Sequence, residues 1–213
     1  MIKKTTILFD FDGVIADTEP QYDLYMDTVG SRYNSGIENF ASAIKGTIMP
    51  DIMEKYFSHL SDEEKQKLEK EVKDFELVMD FPLVDGVVDF IDYLKKNNFK
   101  IGLVTSSPDY KMERALRVLN MEDTFGTKVT ASDITIGKPN PMCYLLAAKN
   151  LNSDPKECIV FEDSFHGIQA GKSAGMKVVG LSTTIPTEQL KEKVEYVMPD
   201  FSDKGFLIKV LEE

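Results

Sequence analysis

Short apolar runs spaced along 213 residues constrain the fold more than any other feature of the chain. They fall at 5–9, 100–104, 128–130, 158–161 and 177–181. Apart from the weak third run they are near-continuous rather than alternating, the pattern of strands covered on both faces in a parallel sheet. Helical spacing fills the intervals. Val87, Phe90, Ile91 and Leu94 recur at helix period before the second run, with Asp85 placed to cap them. Met112, Ala115, Leu116 and Leu119 do the same after it, and Ser164 is placed to cap a helix ending near Gly175. The series predicts an α/β fold built on a doubly wound parallel sheet.

The interval 17–81 breaks this alternation. It has no strong strand and reads as helical over 22–29, 51–60 and 62–79. It is expected to form a helical subdomain inserted after the first strand, leaving 1–16 and 82–213 as the core. Hinges then fall near Asp17 and Pro82.

Composition removes several function classes. A net charge of −11 lacks the basic footprint that nucleic-acid backbones require. Much of the acidity lies on ordinary solvated helix faces such as that over 61–76 and says little about partners. No window approaches the ~20 apolar residues of a membrane span. Met1-Ile2-Lys3-Lys4 leads directly into a strand without the apolar core of a signal peptide. Cys143 and Cys158, the two cysteines, sit in apolar stretches and read as buried thiols of a reducing compartment. A cytoplasmic location is expected.

In an open α/β sheet, ligands bind beyond the carboxyl ends of the strands. The residues following each run therefore form the candidate site: Asp10 and Asp12, then Thr105-Ser106-Ser107, then Gly137-Lys138-Pro139-Asn140-Pro141, then Glu162-Asp163-Ser164. Each piece alone has a plain structural explanation as turn, cap or surface charge. Together they supply what phosphoryl transfer needs. Asp10 can attack phosphorus as a carboxylate, giving an aspartyl-phosphate. Asp12 can protonate the leaving oxygen and later deprotonate water. Mg²⁺ held by Asp10, the backbone carbonyl of Asp12, and Asp163 with Glu162 nearby would offset repulsion of a dianionic substrate. Lys138 can neutralise charge on Asp10 and the transferring group, while Thr105 and the following N–H groups hold phosphate oxygens.

This ordered set resembles the haloacid dehalogenase superfamily along essentially the whole chain. Asp10-Phe11-Asp12-Gly13-Val14-Ile15-Ala16-Asp17-Thr18 is similar to its first motif and Val104-Thr105-Ser106 to its second. Gly137-Lys138-Pro139-Asn140-Pro141 resembles the third and Phe161-Glu162-Asp163-Ser164 the fourth. The insertion resembles the C1-type cap of the β-phosphoglucomutase-like and phosphatase branch. The resemblance implies a sheet order of 5-4-1-2-3, Mg²⁺ dependence and a cap closing over substrate. Asp12 argues against the namesake dehalogenation, whose enzymes lack that second acid.

Within this branch the cap separates two outcomes. Lys45-Gly46 resembles the mutases, yet Thr18-Glu19-Pro20-Gln21-Tyr22 lacks their hinge histidine. Gly46-Thr47-Ile48-Met49-Pro50 also lacks the arginine that grips a second phosphate, and a mutase binds a bisphosphate intermediate in two orientations. The expected activity is thus a phosphatase for a small phosphomonoester, a sugar or polyol phosphate, with a mutase as the alternative. A non-catalytic sugar-phosphate-binding regulator is the third reading. Thr105, Ser106, Lys138 and Asn140 are the expected phosphate ligands from the core, and Glu19 and Lys45 the expected substrate contacts from the cap. Met49 could line the pocket, whereas His166 reads as a helix-surface residue. Partners are expected to be limited to the phosphorylated metabolite, and a monomer suffices.

Overall fold

The computed structural model describes residues 3–212. Met1, Ile2 and Glu213, which fall in the amino-terminal reading and in the expected core segments, lie outside the described residues. The first strand is β1 (Thr6–Phe9), followed by α1 (Glu19–Arg32), α2 (Phe40–Ile44), α3 (Met49–Tyr56) and α4 (Asp62–Glu76). Then come α5 (Val87–Lys96), β2 (Lys100–Val104), α6 (Asp109–Val118), β3 (Thr127–Val129) and α7 (Met142–Asn150). The chain finishes with β4 (Cys158–Glu162), α8 (Phe165–Ser173), β5 (Lys177–Leu181), α9 (Thr187–Lys191), β6 (Tyr196–Met198) and α10 (Lys204–Glu212).

All strands pair in parallel in the order β3-β2-β1-β4-β5-β6. The inner order is the one implied by the resemblance. β6 has no counterpart among the predicted strands, because a three-residue Tyr-Val-Met segment is too short for its pattern to register.

Alternation along the strands explains why the apolar runs had to be continuous. Ile7, Phe9, Leu103, Ile159, Phe161 and Val179 point into one core with α5, α6 and α10. Leu8, Val104, Cys158, Val160 and Val178 point into a second core with α7, α8 and α9. Both faces are covered, so Ile7, Leu8 and Phe9 are all apolar, the buried Thr6 hydroxyl pairs with Ser153 Oγ at 2.6 Å, and charge first appears at the sheet edge with Asp10. The first core is aromatic at its centre: Phe9 stacks on Phe161 at 5.3 Å between centroids, and Phe90 stacks on Phe201 at 5.4 Å. Cys143 and Cys158 are buried free thiols.

The segment 19–76 encloses its own apolar cluster, with Met26, Val29, Phe40, Ile44, Ile52, Phe57, Leu68 and Val72 packed together. Ser61 and Glu64 cap α4 reciprocally, which fixes its start. The short α2 is absent from the predicted helices; five residues give too little period to read. The two chain crossings into this segment pair with each other: Asp17 N–H donates to the Pro82 carbonyl (2.7 Å) and Val84 N–H to the Ile15 carbonyl (3.0 Å).

One cap expectation fails and one holds. Asp85 does not cap α5; Gly86 occupies that position at φ +76°, because a Cβ there would lie 2.6 Å from the Phe201 carbonyl group. Asp85 instead uses its backbone carbonyl to accept from Phe201 N–H at 2.9 Å. Ser164 does cap α8, its Oγ accepting from Gly167 N–H at 3.0 Å.

Phe201 tests the aromatic core away from the strand-end carboxylates. Phe201→Ala should lower unfolding free energy by about 3–5 kcal/mol in urea titrations, the usual result of emptying such a site. A loss below about 1 kcal/mol would show that this cluster is not the packing centre.

Candidate active site

The carboxyl edge of the sheet brings the strand-end motifs together. β1 stops at Phe9, and Asp10 N–H donates to the Phe161 carbonyl at 3.1 Å, locking the Asp10 side chain beside β4. Lys138 Nζ, almost fully buried, donates to Asp10 Oδ1 (2.7 Å) and Glu162 Oε1 (2.6 Å). Tyr144 OH, from the buried face of α7, also donates to Glu162 Oε1 (2.8 Å). Glu162 Oε2 accepts from the Asp163 and Ser164 N–H groups, each at 3.1 Å, and from Ser164 Oγ at 3.0 Å. Both Glu162 oxygens are therefore engaged, and its principal effect here is to aim Lys138 at Asp10.

Carboxylate oxygens of Asp10, Glu162 and Asp163 all lie within 4.8 Å of one another. All three residues are buried, and among the described residues Lys138 is the only side-chain cation paired with any of them. Burial disfavours the charged form of Asp10 and, together with the Glu162 and Asp12 charges and against Lys138, pushes its carboxyl up to about 8. Asp163 is raised well above the usual range by burial and by Glu162, Glu19 and Asp10. Burial would lower Lys138, but the Asp10 and Glu162 carboxylates outweigh it and hold the ammonium above its ordinary value. Three carboxylates against one ammonium leave two formal negative charges, which suits a divalent cation. Gly13 leaves room for the Asp163 carboxylate itself: at φ +73°, a Cβ on it would lie 2.0 Å from Asp163 Oδ2. Asp163 is further held by the Thr184 hydroxyl.

Asp12 stands in a different environment. Its Oδ1 accepts from Thr18 Oγ1 (2.5 Å) and Lys111 Nζ (2.6 Å), and its Oδ2 from Ser107 Oγ (2.8 Å). Burial opposes its ionisation, yet Lys111 and these three hydrogen bonds together hold its carboxyl below the ordinary value. Two aspartates two residues apart are thus driven in opposite directions. The Asp12 side chain lies outside the close carboxylate set, so any metal role rests on its backbone carbonyl.

Asp10, Asp12, Thr105, Ser106, Asp163, Glu19 and Lys45 line one cavity between the sheet edge and the helical segment, as does Met49. Thr105 Oγ1 accepts from Ser107 N–H at 3.0 Å, which shapes the loop after β2. Ser106 Oγ donates to the Gly46 carbonyl at 2.9 Å, reaching across to the loop after α2. Asn140 does not line the cavity; its Oδ1 accepts from Met142 N–H at 3.0 Å and starts α7. In this structure its side chain serves the turn that opens α7. His166 stands outside the carboxylate set, but it does more than cover a helix. Its Nδ1 donates to the Lys45 carbonyl at 2.8 Å.

Lys111, Tyr144, Thr18 and Gly167 escape functional assignment from sequence. Lys111 is 1% exposed and one turn beyond Ser107, its partner at 2.9 Å. A lysine flanking the apolar stripe Met112-Ala115-Leu116, next to a site loop, is the signal that points to it. Tyr144 is hidden because its ring belongs to the α7 stripe, although a buried hydroxyl requires a partner. Gly167 has no sequence signal at all; a Cβ there would lie 1.6 Å from Glu162 Oε1.

Comparison with known proteins finds similarity to named enzymes. The chain is 30% identical over 188 residues to the phosphorylated carbohydrates phosphatase of Thermotoga maritima, covering 80% of this chain and 82% of that one. It is 33% identical over 193 residues to the validoxylamine A 7'-phosphate phosphatase of Streptomyces hygroscopicus subsp. limoneus, covering 87% and 89%. Its structure superposes on the β-phosphoglucomutase of Clostridium difficile with a TM-score of 0.81 at 25% identity, covering 98% and 97% of the two chains. The family model for haloacid dehalogenase-like hydrolases matches residues 7–181, from β1 through β5, and the chain is a member of that enzyme family.

Proposed function

We propose that this enzyme is a Mg²⁺-dependent phosphatase that hydrolyses a small sugar or polyol phosphate in the cytoplasm through an aspartyl-phosphate on Asp10. The observation that carries the reading is Asp10, which lines the cavity and is paired with the buried Lys138, while the two lysines that line the cavity are both already paired. Lys45 pairs with Glu19 and Asp23, and Lys111 pairs with Asp12. A mutase must hold the second phosphate of a bisphosphate, and no arginine lines the described cavity to do so. The likeness to a β-phosphoglucomutase and the Lys45-Gly46 loop support the mutase as the second reading.

In the proposed cycle, Asp10 attacks phosphorus and the P–O bond to the alcohol breaks. Lys138 offsets the charge that Asp10 shares with the phosphoryl group, and Glu162 and Tyr144 keep its ammonium in place. Thr105 and Ser106 present hydroxyls and backbone N–H groups to phosphate oxygens. The alcohol leaves with a proton from Asp12, which afterwards takes one from the water that attacks the phosphoaspartate. Lys111, Thr18 and Ser107 favour the carboxylate of Asp12, the form required in that second half. Mg²⁺, held by Asp10, Asp163 and the Asp12 carbonyl with Glu162 beside them, would supply charge compensation for the dianionic phosphate. A monomer contains every group named.

Steady phosphate release from hexose or polyol phosphates in Mg²⁺ is the expected result of a substrate panel. It should fall by at least about three orders of magnitude in Asp10→Asn, as for other nucleophile deletions. Conversion of β-glucose 1-phosphate to the 6-phosphate without net release would replace the phosphatase reading by the mutase.

The buried carboxylates give a second test. The folded Asp10 value of about 8 lies above its ordinary 3.8, so the folded state binds more protons than the unfolded one between those values. Stability of the chelated protein should therefore fall as pH rises from about 4 to 8, and millimolar Mg²⁺ should flatten that decline. Urea midpoints with EDTA and with Mg²⁺ read this out; identical pH profiles would remove the carboxylate cluster as the metal site.

A further inference from the structure

The part of the cavity wall supplied by the helical segment has a charge pattern of its own. Glu19, Asp23 and Glu76 line it, and Lys45 is the one lysine set among them. Lys45 bonds to Glu19 and lies 2.7 Å from Asp23 Oδ1. That oxygen is buried and accepts no hydrogen bond of good geometry. Glu76 is 4% exposed and receives the hydroxyls of Tyr22 and Tyr110. Among the described residues no side-chain cation pairs with its carboxylate. Lys111 lies over the Tyr22 ring at 4.4 Å, but its ammonium is committed to Asp12 and Ser107. Apolar Met26, Ile44, Met49 and Ile52 complete the wall.

Resting on the phosphatase reading of the same site, we propose that Glu19, Asp23 and Glu76 form a selectivity wall for monophosphates with a neutral or amine-bearing polyol at the far end. Hydroxyl and ammonium groups donate to carboxylates, and such charge-assisted bonds are the strong ones. A carboxylate or second phosphate placed there would meet like charges, with no unpaired cation in the lining to receive it. Lys45 cannot serve both roles, since releasing it to a substrate anion strands Glu19 and Asp23.

Binding can be measured apart from turnover by calorimetric titration of the Mg²⁺-loaded Asp10→Asn protein. The ligands are a hexitol 6-phosphate, a hexosamine 6-phosphate, the aldonate 6-phosphate of the same chain length and a hexitol bisphosphate. The two with anionic far ends should bind at least about tenfold more weakly than the first two. Adding Glu19→Gln with Asp23→Asn, or Glu76→Gln alone, should narrow that gap by at least about threefold, with thermal melts reporting that each variant folds. Equal or tighter binding of the anionic ligands would overturn the proposal, as would a gap that none of the substitutions changes. Lack of phosphate release from the wild-type enzyme would count against the phosphatase reading instead, because the affinity ratio is read without turnover.

Discussion

Three carboxylates buried around one ammonium are the constraint on which the rest of this structure depends. Asp10, Glu162 and Asp163 crowd the carboxyl edge of β1 and β4, and Lys138 answers two of them directly. Such a group is unfavourable unless every lone pair and proton is placed. The structure places them with backbone N–H groups of the β4–α8 turn, the Ser164 hydroxyl, the Tyr144 hydroxyl and the Thr184 hydroxyl. Gly13 and Gly167 are required because any side chain would enter the volume of the carboxylates themselves. The remaining negative charge is what makes the cluster suited to a divalent cation and a phosphate rather than to stability.

The helical segment converts this charged edge into a cavity lined from both sides. It carries its own apolar cluster and enters and leaves the core through a paired two-strand crossing. Its contacts with the core edge mix polar and apolar groups: Ser106 bonds to the Gly46 carbonyl, His166 to the Lys45 carbonyl and Tyr110 to Glu76, while Ile48 packs into the second core and Tyr22 and Phe75 against the first. Gly46 itself sits at φ +74° with Ser164 Oγ 2.8 Å from where a Cβ would be, so the loop after α2 reaches the core by its backbone. Polar contacts of this kind exchange readily with water, unlike the buried aromatic core beneath the sheet. The fold thus pairs a buried carboxylate floor with a wall attached through hydrogen bonds and a few apolar contacts.

Much of the floor was legible in the sequence because its residues follow strands. Asp10, Thr105, Lys138 and Asp163 each come just after, or one loop beyond, an apolar run, and the carboxyl-edge rule gathers them without coordinates. The central five-strand order followed only from the family resemblance. Asn140 takes its expected phosphate role from its motif position alone, while locally an asparagine before Pro141 and Met142 also suits a helix-starting turn, where its side chain is found. Lys111, Tyr144 and Gly167 were hidden for a different reason. Each lies on a helix whose periodicity reads as core packing, and its chemical partner is more than one helical turn away along the chain or appears only in three dimensions. The opposed environments of Asp10 and Asp12 are likewise a tertiary property, since two aspartates on one side of β1's end have no local reason to differ.

The account's central claim is that Asp10 carries the phosphoryl group between the alcohol and water. The stereochemistry at phosphorus tests it most directly, using an oxygen-isotope-chiral thiophosphate ester of an accepted substrate hydrolysed in isotopically labelled water. Two in-line displacements, first by Asp10 and then by water, predict retention of configuration. Inversion would mean that water attacks the substrate directly, and would contradict the role assigned to Asp10.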